Sequence, residues 1–397
     1  MSSTPFMNFP SFYFVNRFEH SLGVCHLAQL ASEALSISRT EKLELMLASL
    51  YHDAATPPFA HVTEEIMSER FGFDHEKHLH DSLIGITDDL GMEKSQVFLG
   101  KSWKLPKIVQ SKEGRELDLD IFRIADTAIG KGKLGSLLKG HIDLDNIDNV
   151  IRSATAMGIT ICSSRDAETL ARSFNLLDGE VGLDESKLNY IKKWQRVRHT
   201  LYDMIYGDLE DYSVQTMLKC AINLLLETNS EGKLLHADWR LTDEMLINDR
   251  IMRDKKARKI MKRIRLFDPY PCVGVFSLSG TGSESFVTQH LSEIERSATE
   301  YLKAECVANS TLDKRHRTLT YPLVTFFEES KKRLDQERKE SVLLFIFSTG
   351  NEKHDYEEPD HELFLQLREL VPNRIDLRSM RRVMGRYPRL AEIGGDP

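Results

Sequence analysis

Leu50-Tyr-His52-Asp53-Ala-Ala-Thr56-Pro57-Pro58-Phe59-Ala-His61 closes one of the most apolar helical patterns in the chain. That pattern opens at Ser38-Arg-Thr-Glu41, a capping box in which serine and glutamate each satisfy a free backbone N–H. It runs from Leu43 to Tyr51. Pro57 and Pro58 stop it, because proline lacks the N–H and disfavours helix in the residue before it. An imidazole and a carboxylate at such a helix end are costly to bury unless they are paired or hold a metal. Helix neighbours differ by about 100°, so His52 and Asp53 both lean toward one ion beside the helix end. An isolated His-Asp pair is more often a satisfied pair in a core. Here further donors coincide with it. His20 opens a second apolar helix (Leu22, Val24, Leu27, Ala31), and Asp145 and Asp148 in Ile142-Asp-Leu-Asp-Asn-Ile-Asp148 offer an oxygen ligand.

Outward from that stretch, residues 18–265 read as a succession of helices. Leu188, Ile191, Trp194, Val197, Leu201 and Met204 recur at helical spacing, and Gly207 closes the segment. Another helix is expected over Tyr212–Glu227, and one more after Leu241-Thr-Asp-Glu244. Past residue 266 the texture changes. Cys272–Ser279, Thr320–Phe327 and Val342–Ser348 read as short buried strands. Ser285–Glu305, Glu328–Lys339 and Asp360–Leu370 read as helices among them. Strands alternating with helices predict an α/β or α+β subdomain. The chain is therefore mainly α, with a helical domain over 1–265 and a smaller subdomain over 266–397.

Composition narrows the function classes. At roughly 100–200 residues per domain, 397 residues suit such a division. Apolar residues at 41% and charged residues at 29% fit a soluble globular protein with a sizeable core. A net charge of −8 argues against a general nucleic-acid binder. The exception is Arg253–Arg265, where eight basic residues stand together. It reads foremost as a solvated amphipathic helix with Ile260, Met261 and Ile264 inward, and otherwise as a strip for single-stranded nucleic acid. Five scattered cysteines with no CxxC pair exclude a disulfide scaffold and a cysteine zinc ribbon, and fit a reducing cytoplasm. The longest apolar runs, such as Val342–Phe347, fall far short of the ~20 residues that span a bilayer. No secretory leader is evident in MSSTPFMNFP.

The quoted segments resemble the HD-domain phosphohydrolases. Within these the likeness is to the deoxynucleoside triphosphate triphosphohydrolases, the bacterial dGTPases and their vertebrate relative with a sterile-alpha-motif domain. Asn16-Arg17-Phe-Glu-His20-Ser-Leu-Gly-Val24 is similar to that subfamily's first-histidine motif. His52-Asp53, Pro57-Pro58-Phe59 and His61 resemble its H-D-x-x-H-x-P-F-x-H segment, and Asp143-Leu-Asp145-Asn-Ile-Asp148 its distal D-x-D-x-x-D segment. The likeness extends over roughly residues 9–270 and implies an all-helical HD core.

By that resemblance, His20, His52, Asp53 and Asp145 hold one divalent metal. A mixed His/carboxylate set suits Mn, Fe, Mg or Zn without choosing between them. His61 and Glu64 match a histidine and an acidic residue that activate the attacking water or protonate the leaving oxygen; their i, i+3 spacing puts both on one helix face. A further catalytic histidine falls among His75, His78 and His80, and His75 fits best because Asp74 precedes it as N-cap. Arg17 matches an arginine that grips substrate phosphate, for which a forked guanidinium is suited. Asn149 and Tyr212 fall at positions that hold phosphate and sugar.

The chain departs from the subfamily at several points. Thr56 replaces a histidine near the scissile phosphate. Asn146, Asn149 and Ser153 replace a lysine, a tyrosine and an aspartate, and Ser213 a glutamine. The expected activity is metal-dependent hydrolysis of deoxynucleoside triphosphates to deoxynucleoside and triphosphate. Two alternatives stand beside it. One is hydrolysis of another nucleotide phosphoester, such as a nucleoside monophosphate. The other is a nucleotide-sensing scaffold with little turnover. The resemblance also implies a homo-oligomer, open to a nucleotide effector.

Overall fold

In a computed structural model, the protein is described over residues 16–85, 105–140, 142–177, 180–312, 322–324, 331–333, 341–350 and 361–380. Several of its helices begin where short polar side chains take up free N–H groups. Asn16 caps α1 (Arg17–Ala34). Ser38 and Glu41 form the expected capping box on α2 (Arg39–Tyr51), which ends with His52 as its C-cap. Phe59 and Ala60 then take left-handed backbone conformations, with φ of 54° and 51°, to swing the chain into α3 (His61–Phe71). Non-glycine residues rarely adopt that region. Here the Phe59 N–H is tied at 2.8 Å to the Asp243 carboxylate, far along the chain. Gly72, with φ of 65°, ends α3, and Asp74 caps α4 (His75–Ile84) through the N–H groups of Glu76 and Lys77.

The remaining longer helices of the first part are α5 (Ile121–Ala128), α6 (Leu144–Ala156), α7 (Ser164–Ala171), α8 (Leu188–Gly207), α9 (Leu209–Glu227) and α10 (Lys255–Arg265). Asp143 caps α6 by accepting from the Asn146 N–H. One apolar core joins them, with Val24, Leu45, Ile124, Leu144, Ile147, Trp194 and Trp239 all buried. On α10, Ala257 and Met261 are buried and Ile260 and Ile264 pack partly against the core, leaving Lys255, Lys256, Lys259, Lys262 and Arg265 exposed.

The stretch expected to be wholly helical contains a hairpin, β1 (Phe174–Leu177) against β2 (Glu180–Asp184). Strands of four and five residues are too short for periodicity to separate them from a helical turn. β2 also pairs, in parallel, with β5 (Pro322–Val324), inside the strand expected at Thr320–Phe327. β6 (Lys331–Arg333) pairs with β5 and corrects the helix expected over Glu328–Lys339, whose other residues lie outside the described ones.

The second sheet has the order β4-β7-β3-β8. Its strands are β3 (Cys272–Ser279), β4 (Cys306–Leu312), β7 (Ser341–Ser348) and β8 (Asp376–Ser379), and every pairing in it is antiparallel. Segregated helices on an antiparallel sheet make this part α+β rather than α/β. Alternation along β7 sends side chains to both faces. Val342, Leu344 and Ile346 pack under α11 (Ser283–Leu302) and α12 (His361–Leu370). Leu343, Phe345 and Phe347 face the other way, onto Tyr206, Tyr212 and Met217 from α8 and α9. Among the described residues, no helix is long and apolar enough to cross a membrane.

Candidate metal centre

Three helices bring the centre together. His20 sits in the first turns of α1, His52 caps the end of α2, and Asp145 lies in the first turn of α6. One ligand atom from each falls within 4.8 Å of the others. His20 Nε2 is 3.0 Å from Asp145 Oδ1, and its Nδ1 is 2.8 Å from Asp148 Oδ2. His52 donates from Nδ1 to the carbonyl oxygen of Ser49 at 2.7 Å. That bond leaves the Nε2 lone pair facing Asp145 Oδ1 at 3.9 Å and Asp53 Oδ1 at 3.8 Å.

His52 Nε2 is buried and, among the described residues, has no hydrogen-bond partner. Buried polar atoms are satisfied in the great majority of cases, and an exception asks for a reason. A lone pair at 2% side-chain exposure, aimed at two carboxylate oxygens and another imidazole, is what a divalent cation needs. The donor set therefore fits the expected metal. His20, His52 and Asp145 form its nucleus. Asp53 stands at the edge, with one oxygen toward His52 and the other 3.2 Å from Arg17 Nη1.

The electrostatics agree. Burial alone would lower the pKa of His20, but Asp145 and Asp148 push it up to about 10, so the pocket attracts positive charge. Burial opposes ionisation of Asp53, yet His52, Arg17, His20 and His61 hold its carboxyl below the usual range.

A second group lies on α3 and α4. Glu64 accepts from His61 Nδ1 at 3.1 Å through one oxygen and from His75 Nδ1 through the other. Partial burial raises the Glu64 carboxyl, but the two imidazoles bring it down to about 2. Burial lowers and Glu64 raises the pKa of His75, with a net rise. The His61 side chain is 76% exposed, so this imidazole is open to solvent while its Nδ1 is held.

The other expected positions fare differently. His78 and His80 are half-buried. His78 packs against Phe73 and Trp239, and His80 Nε2 lies 3.4 Å from Asp126. Asn149 is exposed on α6, one turn beyond Asp145, and accepts from Ser153 at 3.3 Å. The Tyr212 ring is taken up in packing, stacked on Phe345 with centroids 4.2 Å apart. Thr56 is buried beside Asp53, Oγ1 to Oδ1 3.5 Å. Sequence reading did not find Ser49, whose backbone carbonyl orients His52, because no side chain marks it. Nor did it find Asp243 as the tether of the Phe59 turn; Leu241-Thr-Asp-Glu244 carried only a helix start.

Residues 17–88, which hold His20, His52, Asp53, His61, Glu64 and His75, match the HD domain family. This chain carries an HD domain. It is 23% identical over 267 residues to a deoxynucleoside triphosphate triphosphohydrolase SAMHD1 homolog of Dictyostelium discoideum, covering 63% of this chain and 49% of that protein. An uncharacterized protein of Mycoplasma genitalium is 24% identical over 200 residues, covering 48% of this chain and 44% of its own length. The chain thus spans about half the length of the curated relatives it matches. The crystal structure of a hypothetical protein from Aquifex aeolicus has the same fold at a TM-score of 0.57 and 20% identity, covering 90% of this chain and 86% of that one. Of the group that could hold a metal, His20 and His52 lie within the matched residues, while Asp145 comes from α6, beyond them.

Proposed function

We propose that the protein is a metal-dependent nucleotide phosphohydrolase of the HD superfamily, acting on deoxynucleoside triphosphates. The observation that carries this is the unpartnered Nε2 of His52 converging with His20 and Asp145 on one point. His20, His52 and Asp145, with Asp53 beside them, would hold one divalent cation. When bound, such an ion polarises a phosphoryl oxygen and lowers the pKa of water.

The chain's own residues supply the rest. Arg17 is anchored to Asp53 through Nη1, and its remaining guanidinium N–H groups suit a phosphate oxygen. Glu64 is ionised, with both oxygens engaged, so it acts as an acceptor that fixes the Nδ1 proton of His61 and His75. His61 then works from Nε2, the nitrogen that Glu64 does not engage. In the reaction proposed, water adds at the α-phosphorus and the bond to O5′ breaks. The His61 imidazolium delivers its Nε2 proton to the departing O5′, as a positioned general acid does, the proton that the added water releases restores the imidazolium, and the products are deoxynucleoside and triphosphate.

A second reading, hydrolysis of another nucleotide phosphoester, is favoured by one observation: the Tyr212 ring is stacked on Phe345 within a buried cluster. Incubating the purified protein with each nucleotide and Mn²⁺, and separating the products by chromatography, tests both. Triphosphate supports the first reading, orthophosphate the second, and intact nucleotide neither.

A further inference from the structure

His20 touches α6 through both ring nitrogens. Asp145 meets Nε2, and Asp148, one turn further along the same helix, meets Nδ1 at 2.8 Å. Asp148 is itself clamped. Arg152, a further turn along, donates from Nε to Asp148 Oδ2 and from Nη2 to Oδ1, each at 2.8 Å. A forked guanidinium on a carboxylate fixes its plane as well as its place. The carboxylate plane in turn fixes the imidazole, because Nδ1–H must point into it. Nε2 is left facing Asp145 and His52, where a bound cation would displace its proton and take its lone pair.

The crossing of α1 and α6 leaves room for this clamp at one position only because no side chain stands there. Gly23, one turn after His20, packs so close that a Cβ would lie 2.1 Å from Asp148 Oδ1 and 2.3 Å from Arg152 Nη2. Both distances are far inside van der Waals contact. Gly23 is helical with an ordinary backbone, so clearance rather than conformational freedom requires glycine there.

We propose that Asp148 and Arg152, seated against the bare backbone of Gly23, are positioning residues that hold His20 with Nε2 toward the ion and so set metal affinity. The proposal rests on the reading of His20 as a metal ligand. Partners behind a metal-bound histidine fix its tautomer and orientation, and their loss typically weakens metal affinity by about 10–100-fold.

The test uses the full chain and metal alone as probe, with Mn²⁺ binding measured calorimetrically for wild type, Gly23→Ala, Arg152→Gln, Arg152→Lys and His20→Ala. Gly23→Ala and Arg152→Gln should each bind about 10–100-fold more weakly than wild type. Arg152→Lys, which keeps the charge but loses the fork, should fall between. ¹⁵N-histidine spectra of the protein loaded with diamagnetic Zn²⁺ give a readout that loosened packing alone would not produce. His20 should bind through Nε2 with its proton on Nδ1 in wild type and show mixed Nε2 and Nδ1 ligation in Arg152→Gln. If Gly23→Ala does not fold, Arg152→Gln decides. Wild-type Mn²⁺ affinity together with an unchanged tautomer in Arg152→Gln overturns the proposal and leaves the metal reading standing. Mn²⁺ binding by His20→Ala at wild-type strength, or none by wild type, overturns the ligand reading and the proposal with it.

Discussion

The Ser49 carbonyl oxygen accepts from His52 Nδ1 at 2.7 Å, and this backbone contact commits the other ring nitrogen to the space between His20 and Asp145. A residue placed this way couples the stability of the fold to binding of the ion. A metal bound solely by the folded state stabilises it by about 2.7 kcal/mol at a hundredfold excess over Kd. Chelation should therefore lower the melting temperature of wild type and leave His52→Ala unmoved. Elemental analysis should find metal in wild type and little in His52→Ala or Asp53→Ala. A full complement in His52→Ala would remove the basis for the metal centre.

His61 is the exposed member of the second cluster, with its Nδ1 engaged by Glu64. His61→Ala should accordingly abolish turnover and lower the melting temperature only by its share of the Glu64 interaction, since Glu64 keeps His75. Turnover at the wild-type rate in this variant would sink the proton-donor role.

Glu64 gives a pH dependence with a definite sign. Its folded carboxyl sits at about 2, below the ordinary value of 4.5, because His61 and His75 outweigh the penalty of burial. A depressed acid contributes stability above its unfolded pKa and loses it as pH falls through the folded one. Wild type should thus lose stability between pH 4.5 and about 2 more steeply than Glu64→Gln, which cannot titrate there. His75 works in the opposite sense. Its pKa is raised, so its contribution is present below 6.5 and fades as pH climbs through the folded value. Melting temperatures across pH for wild type, Glu64→Gln and His75→Gln check both signs; parallel curves for all three would show that the pair contributes nothing.

Arg17 is tied to Asp53 at one nitrogen and half-buried. Removing it should raise KM for nucleotide with the metal retained. Arg17→Lys should recover only part of the affinity, because an ammonium cannot take phosphate in a fork. Unchanged KM in Arg17→Ala would confine the residue to its ion pair.

Local chemistry made much of this fold legible. Ser38 with Glu41, Asn16 and Asp74 are caps whose side-chain oxygens act within three residues, so the helix starts follow from the residues themselves. The apolar run of β7 and its flanks placed that strand for the same reason. β4, with Asn309, Ser310 and Thr311 in it, and β8, with Asp376 and Arg378, lack such a run; their pairing with β7 and β3 decides their state. At the centre, residue types brought His20, His52 and Asp145 forward as candidates without setting their division of labour. Asp145 and Asp148 are equivalent in sequence, and only the approach of α1 sends one to Nε2 of His20 and the other to Nδ1. Tyr212 shows the limit most clearly, since its surroundings come from a strand far along the chain.

Tyr212 provides the last prediction, because its expected role and its packing point in different directions. Its ring is buried, stacked on Phe345 of β7 with an angle of 12° between planes, in the cluster that joins α8 and α9 to the sheet. A buried aromatic truncated to alanine typically costs about 3–5 kcal/mol, so Tyr212→Ala should melt well below wild type. Tyr212→Phe keeps the ring and its stacking on Phe345 and removes only the hydroxyl. It should melt close to wild type and bind nucleotide with unchanged KM. A reader of the sugar would behave otherwise. For such a residue, Tyr212→Phe would raise KM for the deoxynucleotide at unaltered melting temperature, and that result would return Tyr212 from the core to the substrate site.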